Sequence, residues 1–392
     1  MNPIPDYITA KPRVVLVWVE FGAYHLARLR AVQNQFGKDC VGIELVGGYG
    51  DYKDCSDLSF RAKERSGLNI ITLFPEDSLR DIPPITLITC LLQTLIALSP
   101  ETVALCGYHR LENLVALVWA KLTGRRTILL CESKQDDAPR NWLWEELKSW
   151  IVRQFDSYLV GGTPHRQYLT ALGADPGQVC EGYDVVDNQF FTKTAEEARA
   201  QGNRLRLELS LPEHYFLVVC RFVSKKNLPM LLTAYEQYRK QQPGGWGLVL
   251  CGGGPLEAEL RHRVTQQNIP DVQFAGYVSG QLLGYYYGLA SCFIHPSSLE
   301  QWGLVVNEAM AAGLPVLVSQ ACGCTIDLVE EGVNGFAFNP SDPEALARLM
   351  ERMSADSHGL EAMGQASQRI IQKLTPATFA ENLVLAMGGP NR

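Results

Sequence analysis

No stretch of this sequence is long and apolar enough to cross a bilayer. The longest apolar run, residues 85–98, falls short of the roughly 18–20 residues a spanning helix needs. It is also interrupted by Thr86, Thr89, Gln93 and Thr94. The first eleven residues have no charged start followed by an apolar core, so no signal peptide is expected. A basic excess is missing as well. There are 35 Lys and Arg against 42 Asp and Glu, a net charge of -7, which argues against a general nucleic-acid partner. A few local cations would still suffice for a phosphate pocket. No Asp-x-Asp pair offers a metal–diphosphate site, and Asp51, Asp54 and Asp57 read as solvated acids in a polar loop. No metal is therefore expected to be required. The Gly-x-Gly-x-x-Gly of a dinucleotide fold is absent after the first strand-like run, where Phe21-Gly22-Ala23-Tyr24-His25 stands instead. That weakens the case for a dinucleotide-dependent oxidoreductase.

Cysteine is not scarce, but its pattern excludes a disulfide scaffold. The 11 cysteines are scattered, and several sit inside apolar runs such as 128–131 and 217–220. They read as reduced, buried thiols of a cytoplasmic protein. The tight pair Cys322-Gly323-Cys324 lacks further ligands at matching spacing and reads as a loop.

What is present is a strand-then-helix rhythm. Strand-length apolar runs at 14–19, 40–46, 70–74, 103–106, 127–131 and 157–160 alternate with helical patterns such as 24–36 and 114–121. Such alternation indicates an α/β chain with parallel sheets covered on both faces. The rhythm breaks in the polar stretch 193–208 and restarts with strands at 215–220, 248–250, 272–274, 292–294 and 315–318. With 392 residues, two Rossmann-like doubly wound domains are expected. The first covers 1–190, a linker 191–212 and the second 213–374. A last helix, about 375–392, is placed back on the first domain. Ligands of such sheets bind outside the carboxyl ends of the strands, so the expected site is a cleft lined by both domains. Residues 140–155 (RNWLWEELKSWIVRQF) place Leu143, Leu147, Trp150, Ile151 and Phe155 at helical spacing. A buried or domain-facing helix is the favoured reading, because its charges nearly balance. Docking on a membrane is the open alternative.

The most informative string is 295–313, HPSSLEQWGLVVNEAMAAG. A helix starting near Leu304 or Val305 and stopping at Gly313 leaves Glu300 just outside its start and Glu308 in its first turns. Free N–H groups at the helix start welcome an anion between the two acids. Carboxylates suit sugar hydroxyls because they accept paired hydrogen bonds. Earlier, Arg221 and Lys226 stand five apart in the loop after the first strand of the second domain. Fixed cations there suit a leaving diphosphate. Gly252-Gly253-Gly254-Pro255 follows the next strand and, alone, signals only a tight turn.

Together these strings resemble the retaining glycosyltransferases of family 4, which have the GT-B fold. The resemblance is close over most of the second half and loose over the first. It implies that Glu300 binds the transferred sugar and Glu308 the ribose. It implies backbone contacts to sugar and diphosphate from Trp302, Gly303, Leu304 and Val305, and a nucleotide near Gly253 and Val278. Arg221 and Lys226 match the cationic pair of the family, with Cys220 where a glycine is usual. In the first half, Gly22 stands where a glycine loop faces the diphosphate and acceptor, although the usual double glycine is absent. His25 reads equally as a substrate ligand or a helix cap. His109 lies where a histidine often faces the donor sugar. Glu132 replaces a frequent histidine in the acceptor loop. Gly182-Tyr183-Asp184 with Phe190 or Phe191 resembles an interdomain turn, and 332–336 (GVNGF) a structural one. The implied activity is transfer of a hexose-type sugar from a nucleotide-sugar, UDP by family habit with GDP and ADP open, to an acceptor that is a glycan, a lipid or a small metabolite. A nucleotide-sugar-binding module without transfer is the alternative. The expected location is cytoplasmic, with peripheral contact at the inner membrane face left open.

Overall fold

Each apolar run of five or so residues becomes one strand of a fully parallel sheet, and the helix after it covers a face. The structure, a computed structural model, describes residues 11–47, 65–355 and 357–388. Asp51, Asp54, Asp57 and Cys55 lie outside the described residues. The chain divides into two compact units. One comprises residues up to Val186 together with those from Leu374 onward, and the other runs from Asp187 to Lys373.

Unit 1 holds seven parallel strands: β1 (Val14–Trp18), β2 (Cys40–Val46), β3 (Ile70–Phe74), β4 (Thr102–Cys106), β5 (Arg126–Cys131), β6 (Ser157–Val160) and β7 (Val179–Glu181). They are ordered β3-β2-β1-β4-β5-β6-β7, so the winding reverses between β1 and β4. One face packs on helices Pro84–Leu98, Leu111–Leu122, Trp142–Val152 and Thr163–Ala171, through residues such as Leu91, Leu117, Val152 and Leu169. The other face packs on helix Ala23–Phe36 and on the last helix, Pro376–Ala386. That last helix is fixed to the sheet by Phe379, Ala380 and Leu383, all fully buried. Polar ties add to this: Ser157 Oγ donates to Ala386 O at 2.6 Å, and Asn382 Nδ2 to Glu181 O at 2.7 Å.

Unit 2 has six parallel strands: β8 (Tyr215–Val219), β9 (Gly247–Cys251), β10 (Val272–Gly276), β11 (Cys292–His295), β12 (Val316–Ser319) and β13 (Gly335–Phe338), ordered β10-β9-β8-β11-β12-β13. Its reversal falls between β8 and β11.

Two expectations need correction. Residues 191–212 are no linker: they form most of helices Asn188–Ala200 and Gly202–Glu208, within unit 2. The first packs so closely on helix Gly280–Leu289 that a side chain at Gly284 would collide with Thr194, and one at Gly288 would come within 2.7–2.8 Å of Ala195 and Ala198. The polar composition of this stretch belongs to its outer face. Helix Trp142–Val152, in turn, is not buried. Only Ser149, Ile151 and Val152 point inward, while Trp142 (72% exposed), Leu143, Trp144, Leu147 and Trp150 point to solvent. The 3.6-residue period fixes which residues share a face, but not which face meets the sheet. Among the described residues, no helix is long and apolar enough to cross a membrane.

Candidate donor site

The site residues of unit 2 stand where ligands of open α/β sheets are held, at the carboxyl ends of strands beside the winding reversal. Lys226 leaves β8 through a turn of 3-10 helix, Ser224–Lys226. Asn227 then takes a left-handed conformation (φ 56°) and starts helix Leu228–Gln241. Glu300 comes from the loop after β11. The two side chains form an ion pair across the reversal, each 13% exposed. Glu300 Oε2 also receives Ser297 Oγ at 3.2 Å and lies 3.3 Å from His295 Nε2. Burial works to raise the Glu300 carboxyl; the His295 hydrogen bond and the Lys226 charge outweigh it and hold the group well below the usual carboxylate range. His295 is pushed the other way, its burial favouring the neutral ring. A neutral imidazole facing a carboxylate carries its proton on Nε2, and Nδ1 is buried without a partner among the described residues.

The two loops are tied through backbone. Ser298 N donates to Lys225 O at 2.8 Å. Glu300 pairs with Cys322, Gly323 N reaches Glu300 O at 3.2 Å, and Cys324 N reaches Trp302 O at 3.3 Å. The Cys322-Gly323-Cys324 stretch is thus the wall that shapes the Glu300 loop.

Helix Leu304–Ala311 follows, entered through Gly303 at φ 112°, a conformation that suits glycine. Trp302 is buried, with Nε1 donating to Asn307 Oδ1 at 2.9 Å. Glu308 is buried and accepts from Tyr287 Oη at 2.7 Å. The amides of Leu304 and Val305 lie in the first helical turn.

The glycine triplet has a packing reason. Gly252 (φ 135°) and Gly254 (φ 150°) lie against the backbone of Cys220 and Phe222, and a side chain at Gly252 would collide with Cys220 O. Phe222 N donates to Gly253 O at 2.8 Å, and Gly252 N to Gly276 O at 2.7 Å. The Arg221 loop, the Gly253 loop and the turn before Val278 are therefore fastened in a row. Arg221 is exposed and Val278 is buried. The Cys220 thiol is pushed up to about 12, by burial first and by Glu300 against the opposing Lys226 charge. Asn334 is a structural turn residue, its side chain bonding Glu330 N and Leu328 O.

The remaining named residues lie in unit 1, also at the carboxyl ends of strands. Gly22 caps helix Ala23–Phe36, and its N–H donates to His25 Nδ1 at 3.2 Å. His25 therefore caps its own helix. His109 follows β4 in a loop held by Asn113 Nδ2 on Cys106 O at 2.6 Å, and its ring is driven towards the neutral form by burial and by Arg110. Glu132 follows β5.

His295, Ser297 and Tyr287 carried no role in the sequence reading. The first two stand within the same string as Glu300, directly after a strand. Tyr287 sits in a glycine-rich helix that periodicity did not reveal.

Two parallel-sheet units of this kind make a GT-B fold. The crystal structure of HepE from Anabaena in complex with UDP and glucose matches 97% of this chain and 100% of its own at a TM-score of 0.75 and 15% identity. Sucrose-phosphate synthase from Thermosynechococcus elongatus matches 96% and 98% at 0.72 and 20% identity. Within that fold, residues 203–370 match the family described as glycosyl transferases group 1. Among sequence relatives, sulfoquinovosyl transferase SQD2 of Arabidopsis thaliana is 31% identical over 236 residues, 59% of this chain and 44% of that protein. Amylovoran biosynthesis glycosyltransferase AmsK of Erwinia amylovora is 28% identical over 239 residues, 59% and 52%. The matched part thus spans about half the length of these two relatives.

Proposed function

We propose that this protein transfers a hexose-type sugar from a nucleotide-sugar, UDP-linked in the first instance, to a hydroxyl acceptor with retention of anomeric configuration. The observation that carries the reading is the Lys226–Glu300 pair, set among His295, Ser297 and the start of helix Leu304–Ala311. A carboxylate held charged accepts hydrogen bonds from sugar hydroxyls. Lys226 and Arg221 offer fixed positive charge to the departing diphosphate, with the helix amides beside them. In this reading the acceptor proton passes to the leaving phosphate oxygen on the same face of the sugar, His109 faces the donor, and no metal is needed. The HepE structures with UDP and UDP-glucose support a uridine donor by likeness of fold.

Pure protein incubated with a panel of nucleotide-sugars should be stabilised by one donor and turn it over slowly, undiminished by EDTA. Glu300→Ala and Lys226→Ala should each lower turnover by about 10²-fold or more while the far-ultraviolet spectrum stays unchanged. Donor binding without any turnover would favour a non-catalytic binding module; near-normal turnover by either variant would remove these residues from the site.

Peripheral contact with a lipid surface belongs to the same reading. Trp142, Trp144 and Trp150 with Leu143 and Leu147 form an exposed face, and amphipathic indole rings favour the headgroup level. Sedimentation with phosphatidylcholine–phosphatidylglycerol vesicles should retain the wild type and lose a Trp142→Ser, Trp144→Ser, Trp150→Ser variant. Equal recovery of both in the supernatant would count against it.

A further inference from the structure

A carboxylate has two oxygens, and at Glu300 they are used unequally. Oε2 takes every donor: the Lys226 ammonium, Ser297 Oγ at 3.2 Å and His295 Nε2 at 3.3 Å. Among the described residues, no donor reaches Oε1. Nor is Oε1 one of their buried unpartnered oxygens, so the exposed 13% of this side chain includes it.

The holders of Oε2 are buried and their protons can be placed. His295 ends β11, and both it and Ser297 are fully buried. Facing a carboxylate, the neutral ring carries its proton on Nε2, which also lies 3.2 Å from Ser297 Oγ. The serine hydroxyl has a single proton, so it accepts from the ring and donates to Oε2. The ring stacks on Phe293, with centroids 6.2 Å apart and planes 12° apart. Phe293 lies 5.8 Å from Tyr287, whose hydroxyl donates to Glu308. One row of rings therefore stands under both acids of the site. As a stabilising device this is a poor choice. It buries a histidine whose Nδ1 has no partner among the described residues, a cost that an apolar side chain would avoid.

We propose that His295 and Ser297 are positioning residues that, with Lys226, claim Oε2 of Glu300 and leave Oε1 to the ligand. This rests on the glycosyltransferase reading and sharpens what the site selects. An ionised oxygen can only accept, so the sugar substituent at Oε1 must bring a proton. A hydroxyl is held there, and a fluorine or methoxyl in its place is not.

The test is calorimetric titration of the full chain with UDP, UDP-glucose, and UDP-glucose fluorinated at each sugar hydroxyl position in turn. Fluorine is compact and carries no proton. In the wild type one analogue should bind about tenfold more weakly than UDP-glucose, the effect of one charge-assisted hydrogen bond. Glu300→Gln should erase that difference. The three donors draw the amide carbonyl to the place of Oε2, so its amino group faces the ligand and supplies the proton itself. His295→Leu and Ser297→Ala should each weaken UDP-glucose about tenfold and leave UDP unchanged. His295→Gln, which keeps an N–H, should restore the affinity. A merely structural histidine would lower both ligands together. Ser297→Ala removes only a hydroxyl and decides the matter should the leucine variant fail to fold. Nitrogen NMR of the free chain should show a ring protonated on Nε2 alone at neutral pH, a signal absent from His295→Gln. Equal binding of every analogue by the wild type, discrimination kept by Glu300→Gln, parallel losses of UDP and UDP-glucose, or an Nδ1-protonated ring would each overturn the proposal. If neither UDP nor UDP-glucose binds while the ring signal is as expected, it is the glycosyltransferase reading that falls.

Discussion

His25 shows how one side chain can be tied to a site by its neighbours' chemistry. Its Nδ1 accepts the Gly22 amide, its ring lies 5.3 Å from Trp18, and burial, followed by the Arg28 charge, lowers it from the usual 6.5 to about 3. The sign follows from linkage: the unfolded chain binds this proton more readily, so the contribution to stability is full above pH 6.5 and is lost as pH falls towards 3. Urea midpoints measured across that window should fall less steeply for His25→Gln than for the wild type, and parallel curves would show that the ring does not titrate as its surroundings imply. At this scale the sequence was partly legible. Spacing sufficed to single out Glu300 and Lys226, but not to show that they pair, because the partners come from loops 74 residues apart. Nor could it show His295 and Ser297 beneath them. A histidine at the end of an apolar strand reads as core until the carboxylate it faces is known.

At the scale of elements, the glycines decide most. Gly252 and Gly254 look like turn residues in sequence, yet they let the loop after β9 lie directly against the backbone of the loop after β8. Gly252→Ala would meet both a left-handed-side φ of 135° and the Cys220 carbonyl. The expected cost is roughly 1–3 kcal/mol for the backbone conformation alone, with a displaced Arg221 loop and weaker nucleotide binding. Calorimetric titration with UDP, set beside a denaturation curve, measures both; unchanged values would show that the loops are not coupled. The glycines of helix Gly280–Leu289 act likewise. They lower helix propensity, which hid this helix from periodicity, and they permit the close approach of helix Asn188–Ala200, whose charged outer face had suggested a linker. Strands were legible because parallel strands buried on both faces are continuous apolar runs. β7 and β13 escaped because they are short and carry polar or glycine residues.

At the scale of the whole molecule, chain order and structural units disagree, and the disagreement is testable. The chain leaves unit 1 at Val186, builds unit 2, and returns at Leu374 to complete the first sheet's helical cover. The returning helix contributes Phe379, Ala380, Leu383 and Ala386 to the core around Trp18, Leu159 and Tyr183, and its last carbonyl accepts from Ser157 Oγ and, at 2.8 Å, from Arg126 Nε. The candidate donor residues Lys226, Glu300 and Glu308, by contrast, lie in unit 2. Removal of residues 374–392 should therefore damage the unit that holds none of these three. Truncation of a large aromatic and several aliphatic side chains from a core costs several kcal/mol, about 3–5 for a phenylalanine alone, which rivals the marginal stability of an ordinary domain. Calorimetry of the truncated chain should lose or strongly lower one unfolding transition and keep the other. The surviving transition should still rise with a saturating nucleotide-sugar, by the amount mass action gives, about 2.7 kcal/mol at a hundredfold excess over Kd. Loss of the ligand-responsive transition instead would mean that the donor residues depend on the terminal helix, and that the two units do not fold as the division of contacts implies.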